Sequence, residues 1–329
     1  MPANLPPEYF EVERTLRTAK TPREKIEIYE KLLSIIPKHK GTEKLLALYK
    51  TKAAKLRDEM QRRPAAARRG PSHRVEKSGA GQIVFAGPPN AGKSKIIREL
   101  TGADVETADY PFTTRAASPF MMPYLNIRIQ LVDSPPVSAE YMETWFPETV
   151  KAADAVCLTA DLGDPDGAAV MDGIIRKLGE KRIEFAAPDA DIPPEKIPFV
   201  KKTLLVANKI DLPGATERFE EMSLLLEGAF TRHRVSALSG EGLEDLRRSL
   251  FDLLGIVRVY SKIPGKKPDT DSPFTLRKGS TVMDMARAVH KDFKEKLNYA
   301  RVWNAKGLDG LRVTRDYPLE DEDTVELHI

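Results

Sequence analysis

The segment with the clearest chemistry is a glycine-rich loop at residues 87–94, whose sequence GPPNAGKS fits the pattern GxxxxGKS. It lies between a short apolar run and the helix-like sequence KIIREL, which is the usual setting of a phosphate-binding loop. Gly87 and Gly92 let the chain fold around a phosphate with its amides pointing inward. Lys93 would reach the β- and γ-phosphates, and Ser94 would present its hydroxyl to Mg²⁺. A chance glycine turn is the alternative, and the agreement of strand, loop and helix argues against it. The predicted phosphate contacts are Gly87, Pro88, Pro89, Asn90, Ala91, Gly92, Lys93, Ser94 and Lys95.

A second short motif concerns the base. Asn208, Lys209 and Asp211 form the pattern NKxD directly after the apolar run TLLVA. A carboxylate here can accept hydrogen bonds from both N1–H and the 2-amino group of guanine, whereas adenine offers an acceptor at N1 and has no 2-amino group. By itself the motif is more typical of a solvated turn, but in the same domain as a phosphate-binding loop it predicts guanine. The tripeptide formed by Ser236, Ala237 and Leu238 fits the loop whose backbone amide binds guanine O6.

In this order, the motifs resemble those of translation-factor-type GTPases. The sequence DYPFTT at residues 109–114 resembles the switch I signature of the Obg and DRG families, which implies that Thr114 coordinates Mg²⁺ and senses the γ-phosphate. The segments VRVYSKIPGKKPD, LRKGSTV and LEDEDTVELHI resemble the TGS domain of DRG proteins, and LLALYKTKAAKLRDEM resembles the helical segment before their G domain. The resemblance covers roughly residues 40–329, without the glycine-rich domain of Obg or the domain inserted in DRG proteins. The chain is therefore similar to a compact DRG relative.

The third GTPase motif, DxxG, departs from the family pattern. The chain has Asp133 followed by Ser-Pro-Pro, so Asp133 can hold Mg²⁺ through water, but Pro136 replaces the glycine and has no amide for the γ-phosphate. Val137 stands where Ras-like enzymes have a water-orienting glutamine, a departure that the Obg and DRG families share. The glycine-rich stretch that should follow is absent, and Lys95 replaces the usual serine or threonine. These differences predict a weakened switch more than weakened nucleotide binding.

Asn90 allows two interpretations. An asparagine at this position of the phosphate-binding loop marks several GTPases that use K⁺ as an activating cation in place of an arginine finger. The alternative is that Asn90 only fits the backbone of the loop. K⁺ is therefore a candidate cofactor beside GTP or GDP and Mg²⁺.

The elements that must position these residues are strands alternating with helices. Apolar runs separated by helix-length segments predict βαβ units, a mostly parallel sheet and an α/β fold of the P-loop NTPase type. The expected strands are residues 83–86, 127–132, 155–158, 203–207 and 234–236. Helical spacing over residues 8–60, broken by Pro37 and Gly41, predicts a helical hairpin before this domain. A β-β-α-β-β pattern after Gly255, together with the resemblance, implies a ubiquitin-like β-grasp TGS domain.

Three domains follow from these patterns. They are an N-terminal helical, basic segment with a linker at residues 1–77, a G domain at 78–255 and a TGS domain at 256–329. No run approaches the ~18 apolar residues that cross a bilayer, which argues against membrane insertion. A single cysteine, Cys157, excludes an internal disulfide. We therefore expect a soluble protein of a reducing, cytoplasmic compartment.

The charge of the chain is segregated. Residues 38–77 contain 13 Lys or Arg and 4 Asp or Glu, although the whole chain carries a net charge of only +3. Such a block is either a solvated helix face or a surface that binds a polyanion by releasing counterions from its phosphates.

Two hypotheses about function follow. The first is a Mg²⁺-dependent GTPase with Lys93, Thr114 and Asp133 as catalytic residues, slow, partner-stimulated and acting with ribosomes or structured RNA. Residues 38–77 and the TGS domain would face the RNA, and a protein regulator is a further candidate partner. The second is a GTP-binding adaptor for RNA or protein with negligible hydrolysis, which the change at Pro136 supports.

Overall fold

A computed structural model describes residues 6–18, 22–37, 42–62, 75–102, 117–226, 230–290, 297–304 and 306–328. The chain divides into two compact units, residues 1–72 and 73–329, which are described separately. Within the described residues, no helix is both long and apolar enough to cross a membrane.

The first unit is helical. It contains α1 (Pro7–Thr18), α2 (Pro22–Ile35) and α3 (Glu43–Arg62), so the predicted hairpin of α2 and α3 is present and α1 packs on α2 in addition. Tyr9 and Tyr49 are buried, and their hydroxyls share a hydrogen bond of 2.8 Å that joins α1 to α3. Both hydroxyls also lie within hydrogen-bond distance of the Glu13 carboxylate, at 3.0 Å for Tyr9 and 3.2 Å for Tyr49, so one hydroxyl donates to Glu13 and the other donates to its neighbouring hydroxyl. Residues 38–41 and 63–74 of the basic block lie outside the described residues.

The second unit begins with a seven-stranded sheet in the order β2-β3-β1-β4-β6, with β5 and β7 pairing successive parts of the outer edge of β6. Every neighbouring pair is parallel except β2 with β3. The strands are β1 (Gln82–Ala86), β2 (Ser118–Tyr124), β3 (Ile127–Asp133), β4 (Ala155–Asp161), β5 (Glu184–Ala186), β6 (Val200–Asn208) and β7 (Thr231–Val235).

Helices cover both faces of this sheet, as βαβ units require. Apolar side chains of α5 (Phe146–Ala152), α6 (Gly167–Gly179) and α7 (Ala215–Leu225) share one core with the sheet. Those of α4 (Lys93–Thr101) and α8 (Leu243–Leu254) share the core on the opposite face. The predicted α/β architecture is confirmed. The sequence missed β2, an edge strand that contains two prolines, and β5, which has only three residues.

A five-stranded sheet follows in the order β11-β10-β12-β8-β9, in which β12 and β8 are parallel and the other pairs antiparallel. Its elements are β8 (Ile256–Ser261), β9 (Asp269–Arg277), α9 (Val282–Val289), β10 (Tyr299–Trp303), β11 (Asp309–Val313) and β12 (Thr324–His328). Thr281 and Asp284 form a capping box that starts α9, which packs on one face of the sheet. The sequence missed β11, whose Asp-Gly start is typical of a turn.

Candidate nucleotide-binding site

The predicted site residues that the structure describes come together at one edge of the seven-stranded sheet. β1, β3, β4, β6 and β7 are parallel, so the segments that follow them emerge at the same carboxyl edge. β1 lies between β3 and β4, so the strands that follow it are added on both of its sides. The strand order of the sheet therefore reverses at β1. In open α/β sheets such a switch point is where ligands bind.

Two positions of the loop after β1 require glycine. A Cβ atom at Gly87 would overlap the carbonyl oxygen of Thr159, and one at Gly92 would overlap the amide nitrogen of Asn208. Gly92 also has φ 87°, a left-handed conformation that favours glycine. Asn90 is exposed with φ 60°, which asparagine tolerates better than most residues. This conformation is a reason for asparagine that does not depend on K⁺, and the K⁺ interpretation of Asn90 stays a prediction.

The side chain of Lys93 is buried beneath this loop. Its ammonium donates to the carbonyl oxygens of Gly87, at 3.0 Å, and Pro88, at 2.8 Å. Burial lowers the pKa of Lys93 to about 8, and the nearby carboxylate of Asp133 opposes that shift. The cation is therefore held on the inner side of the loop, where it can meet an anionic ligand. Lys95, by contrast, is exposed.

Ser94 and Asp133 form the part of the site that suits a metal ion. The Ser94 hydroxyl donates to Oδ2 of Asp133 at 2.5 Å, and Oδ1 is buried with no hydrogen-bond partner among the described residues. Burial raises the pKa of Asp133, while the Ser94 bond and the charge of Lys93 oppose the rise. A carboxylate oxygen left without a donor, beside a hydroxyl, fits a hard cation such as Mg²⁺. Thr114, the third expected ligand, lies outside the described residues.

The turn after Asp133 is attached to β1 and to the start of the phosphate-binding loop. The Ser134 hydroxyl donates to the carbonyl of Phe85 at 2.6 Å, and the Val137 amide donates to the carbonyl of Gly87 at 3.0 Å. Between them stand Pro135 and Pro136, which have no amide hydrogen. Val137 is buried and Pro136 is exposed. The sequence anticipated the missing donor but not the bond from Val137 to Gly87.

Asn208 connects the phosphate-binding loop to the loop after β7. Its side-chain amide donates to the carbonyl of Ala91 at 2.9 Å, and its oxygen accepts from the amide of Ala237 at 3.0 Å. The Ser236 hydroxyl accepts from the amide of Leu238 at 3.2 Å, which stabilises the turn. Asn208 and Ser236 are buried, whereas the side chains of Leu238 and Asp211 are exposed. The three predicted segments therefore form one hydrogen-bonded network.

The sequence missed one charged residue of this region. Asp161, at the end of β4, accepts from the Lys209 ammonium at 2.5 Å. The two residues are 48 positions apart, and no local motif marks Asp161. The available signal was an acidic residue three positions after the predicted strand at residues 155–158.

Comparisons with known proteins agree with this geometry. The family described as 50S ribosome-binding GTPase matches residues 82–193, and the TGS domain family matches residues 257–329. An uncharacterized GTP-binding protein of Methanocaldococcus jannaschii is 29% identical over 363 residues, covering 93% of this chain and 92% of that protein. Developmentally-regulated G-protein 1 of Arabidopsis thaliana is 27% identical over 374 residues, covering 92% of this chain and 90% of that protein.

A solved structure shares the fold. The GTP binding protein from Pyrococcus horikoshii OT3 aligns with a TM-score of 0.50 and 17% identity, covering 75% of this chain and 99% of that one. Three findings agree: the two domain matches, the relatives that align over nearly their full length, and the hydrogen-bond network around Asn208. The chain contains a GTPase domain and a C-terminal TGS domain, and over more than nine tenths of its length it is similar to GTP-binding proteins of the DRG type.

Proposed function

We propose that this protein binds GTP together with Mg²⁺ and hydrolyses it slowly to GDP and phosphate, in association with ribosomes or structured RNA. The observation that carries the proposal is the side chain of Asn208, which joins the phosphate-binding loop to the loop that would hold the base. Because both halves of the site are fixed to each other, a guanine nucleotide would meet a platform that is already assembled. Preassembly lowers the ordering cost of binding.

Different residues of the site would bind the phosphates, the metal ion and the base. The Lys93 ammonium, held beneath the loop, would exchange its carbonyl partners for the β- and γ-phosphate oxygens. Ser94, Asp133 and Thr114 are the residues that would hold Mg²⁺, which when bound neutralises charge on the β- and γ-phosphates. Asp211 would accept from guanine, and the backbone of Ser236, Ala237 and Leu238 would face O6. Hydrolysis would then depend mainly on positioning and charge stabilisation.

A GTP-binding adaptor with negligible hydrolysis is the second candidate, and the turn at residues 134–137 favours it. The Val137 amide is already bonded to Gly87, and Pro135 and Pro136 have none to offer. This turn therefore lacks a free backbone donor between Pro135 and Val137 for the γ-phosphate.

Single-turnover hydrolysis, measured beside nucleotide affinity, separates the two functions. The enzyme hypothesis expects phosphate release above the buffer rate, increased by ribosomes. Tight GTP binding with no rate above buffer, with or without ribosomes, supports the adaptor instead. The same assay in NaCl and KCl tests K⁺ as an activator at Asn90, because only an activating ion makes the rate depend on which salt is present. If GTP does not bind at all, both hypotheses are wrong.

The RNA part of the proposal is supported by one face of the TGS sheet, on the side away from α9. Arg301 and Arg312 are exposed and stand directly opposite each other on β10 and β11. Like charges directly opposite each other are destabilising, and Glu326, which is opposite Arg301 on β12, already pairs with Lys262 and His328. The Arg312 guanidinium lies 4.0 Å from the ring centre of Tyr299, which limits its motion. Two exposed guanidinium groups, one of them held against an aromatic ring, are suited to phosphates.

A charge-reversal pair tests this face. Arg301→Glu with Arg312→Glu should weaken binding to ribosomes or structured RNA. The matched control is Arg287→Glu with Arg315→Glu, two exposed arginines on the α9 side of the same domain. Equal weakening by both pairs would show that only the net charge of the domain matters.

A further inference from the structure

The loop that follows β4 packs against the residues expected to recognise the base. The carboxylate of Asp161 accepts from the Lys209 ammonium at 2.5 Å through one oxygen and from the Gly163 amide at 2.7 Å through the other. The side chain of Asp161 is only 13% exposed and that of Lys209 33%. Both oxygens are therefore engaged in a partly buried setting, where an ion pair is screened less than on the surface.

Lys209 needs such support because of its backbone. Its φ is 72°, a left-handed conformation that is unfavourable for a residue with a Cβ. Neighbouring bonds hold the same turn: Ile210 donates to the carbonyl of Val235 at 3.1 Å, and Leu212 donates to that of Lys209 at 3.1 Å. The direction in which Asp211 leaves this turn depends on the conformation of Lys209.

The two loops are also joined at other points. The Leu162 amide donates to the carbonyl of Asn208 at 2.9 Å, and Arg218 of α7 donates to the carbonyls of both Leu162 and Pro213. A Cβ atom at Gly163 would lie 2.9 Å from Leu212, so the loops are in close contact. The loop after β4 is thus a support for the NKxD loop.

We propose that Asp161 is a positioning residue for guanine recognition. By holding the Lys209 ammonium it fixes the left-handed turn and, through it, the place from which Asp211 meets N1–H and the 2-amino group of guanine. The proposal rests on the proposed binding of guanine nucleotides by Asn208, Lys209 and Asp211. Asp161 itself touches Lys209, not the base.

The test compares GDP with inosine diphosphate, which keeps N1–H and lacks the 2-amino group. In Asp161→Asn the side chain can still accept from Gly163 but loses the charge that holds Lys209. GDP affinity should fall by about three- to tenfold, as for a partly exposed ion pair. The preference for GDP over inosine diphosphate should shrink with it, which a general loss of stability does not produce.

The matched control is Asp164→Asn in the same loop. The Asp164 carboxylate accepts from the Asp166 amide at 3.0 Å and from no other donor among the described residues. This variant should bind both nucleotides within about twofold of the wild type, a difference of roughly 0.4 kcal/mol.

A double-mutant cycle with Lys209→Met tests whether Asp161 acts through Lys209. In the Lys209→Met background, Asp161→Asn should have no further effect on either nucleotide, because residues that act as one pair are not additive. If Asp161→Asn fails to fold, Lys209→Met alone must still reduce the GDP preference.

Several results would overturn the assignment. They are an unchanged GDP preference in Asp161→Asn or in Lys209→Met, an equal effect of Asp164→Asn, or full additivity in the cycle. A wild type that binds no GDP would overturn the proposed function and this inference together. A wild type that binds GDP through Asp211, with Asp161→Asn unchanged, would overturn this inference alone.

Discussion

We predict that Pro136 makes the protein a poor discriminator between GTP and GDP, because it removes a backbone donor from the turn after Asp133. An amide at this position would donate to the γ-phosphate and so favour the GTP-bound state. A ligand shifts a conformational equilibrium only through its different interactions with the two states. With no amide at Pro135 or Pro136, and with that of Val137 bonded to Gly87 at 3.0 Å, the turn has little to gain from the γ-phosphate.

The expected size follows from one missing charge-assisted hydrogen bond. Such a bond contributes about 1.5–3 kcal/mol, or roughly one to two decades of affinity. The wild type should therefore bind a non-hydrolysable GTP analogue and GDP within about tenfold of each other. Pro136→Gly should raise the affinity for the analogue more than that for GDP. The gain should stay below the upper limit, because the Val137 bond still holds the turn and a glycine at this position has more backbone freedom to lose.

Two further variants separate the donor from the added flexibility. Pro136→Ala restores the amide with less backbone freedom than glycine, so it should shift the analogue-to-GDP ratio at least as much. Pro135→Ala adds an amide one residue earlier and should leave the ratio unchanged. Titration calorimetry with Mg²⁺ gives both affinities. A wild type that already prefers the analogue by about a hundredfold, with no change in Pro136→Gly or Pro136→Ala, would show that another donor serves the γ-phosphate and would refute the reasoning.

Four other results are expected. Asp211→Asn should weaken GTP and GDP alike by roughly tenfold to a hundredfold and relax base choice, which competition binding with other nucleotides measures. Binding to ribosomes or RNA should weaken steeply with salt, and removal of residues 1–77 should flatten that dependence; an unchanged slope would make the basic block a solvated face. Arg258 is buried and bonds to Asp321, to Glu322 and, in the β2–β3 turn, to Asn126. Arg258→Met should therefore lower the free energy of unfolding, measured in urea, by about 1.5–3 kcal/mol. Burial lowers the pKa of Lys201 from its usual 10.5 to about 8. Between these pH values the unfolded chain binds more protons than the folded chain, so the free energy of unfolding should rise with pH in the wild type relative to Lys201→Met.

Contiguous motifs with their own backbone requirements could be predicted from the sequence. Gly92 is needed locally because its φ is positive, whereas Gly87 is needed because the carbonyl of Thr159 approaches it, and both glycines belong to a recognisable contiguous motif. The apolar runs of β1, β4 and β6 were long enough to identify the sheet. β2 was not predicted because two prolines interrupt it, and an edge strand accepts them where a central strand does not.

Pairings between distant residues could not be predicted in the same way. The contact of Asp161 with Lys209 depends on the register that places the end of β4 beside the end of β6, where Asp161 is opposite Asn208. The bond from Val137 to Gly87 likewise depends on β3 lying beside β1. Neither the Asp161 carboxylate nor the Val137 amide identifies its partner in the sequence, because groups of both kinds are common in such segments. Strand order supplied this information.

The binding platform and the γ-phosphate response are therefore separate properties of this chain. Asn208 fixes the phosphate-binding loop to the loop after β7, and the Asp161–Lys209 pair fixes the loop after β4 to the NKxD loop, through bonds that do not involve residues 134–137. Those four residues are held to β1 and Gly87 by Ser134 and Val137, and their prolines remove the donors that a γ-phosphate would use. Guanine nucleotide affinity should consequently survive changes in the turn, whereas discrimination between GTP and GDP should not depend on Asp161. A variant that combines Pro136→Gly with Asp161→Asn should show the two effects as a simple sum, since no hydrogen bond among the described residues joins residues 134–137 to Asp161 or Lys209.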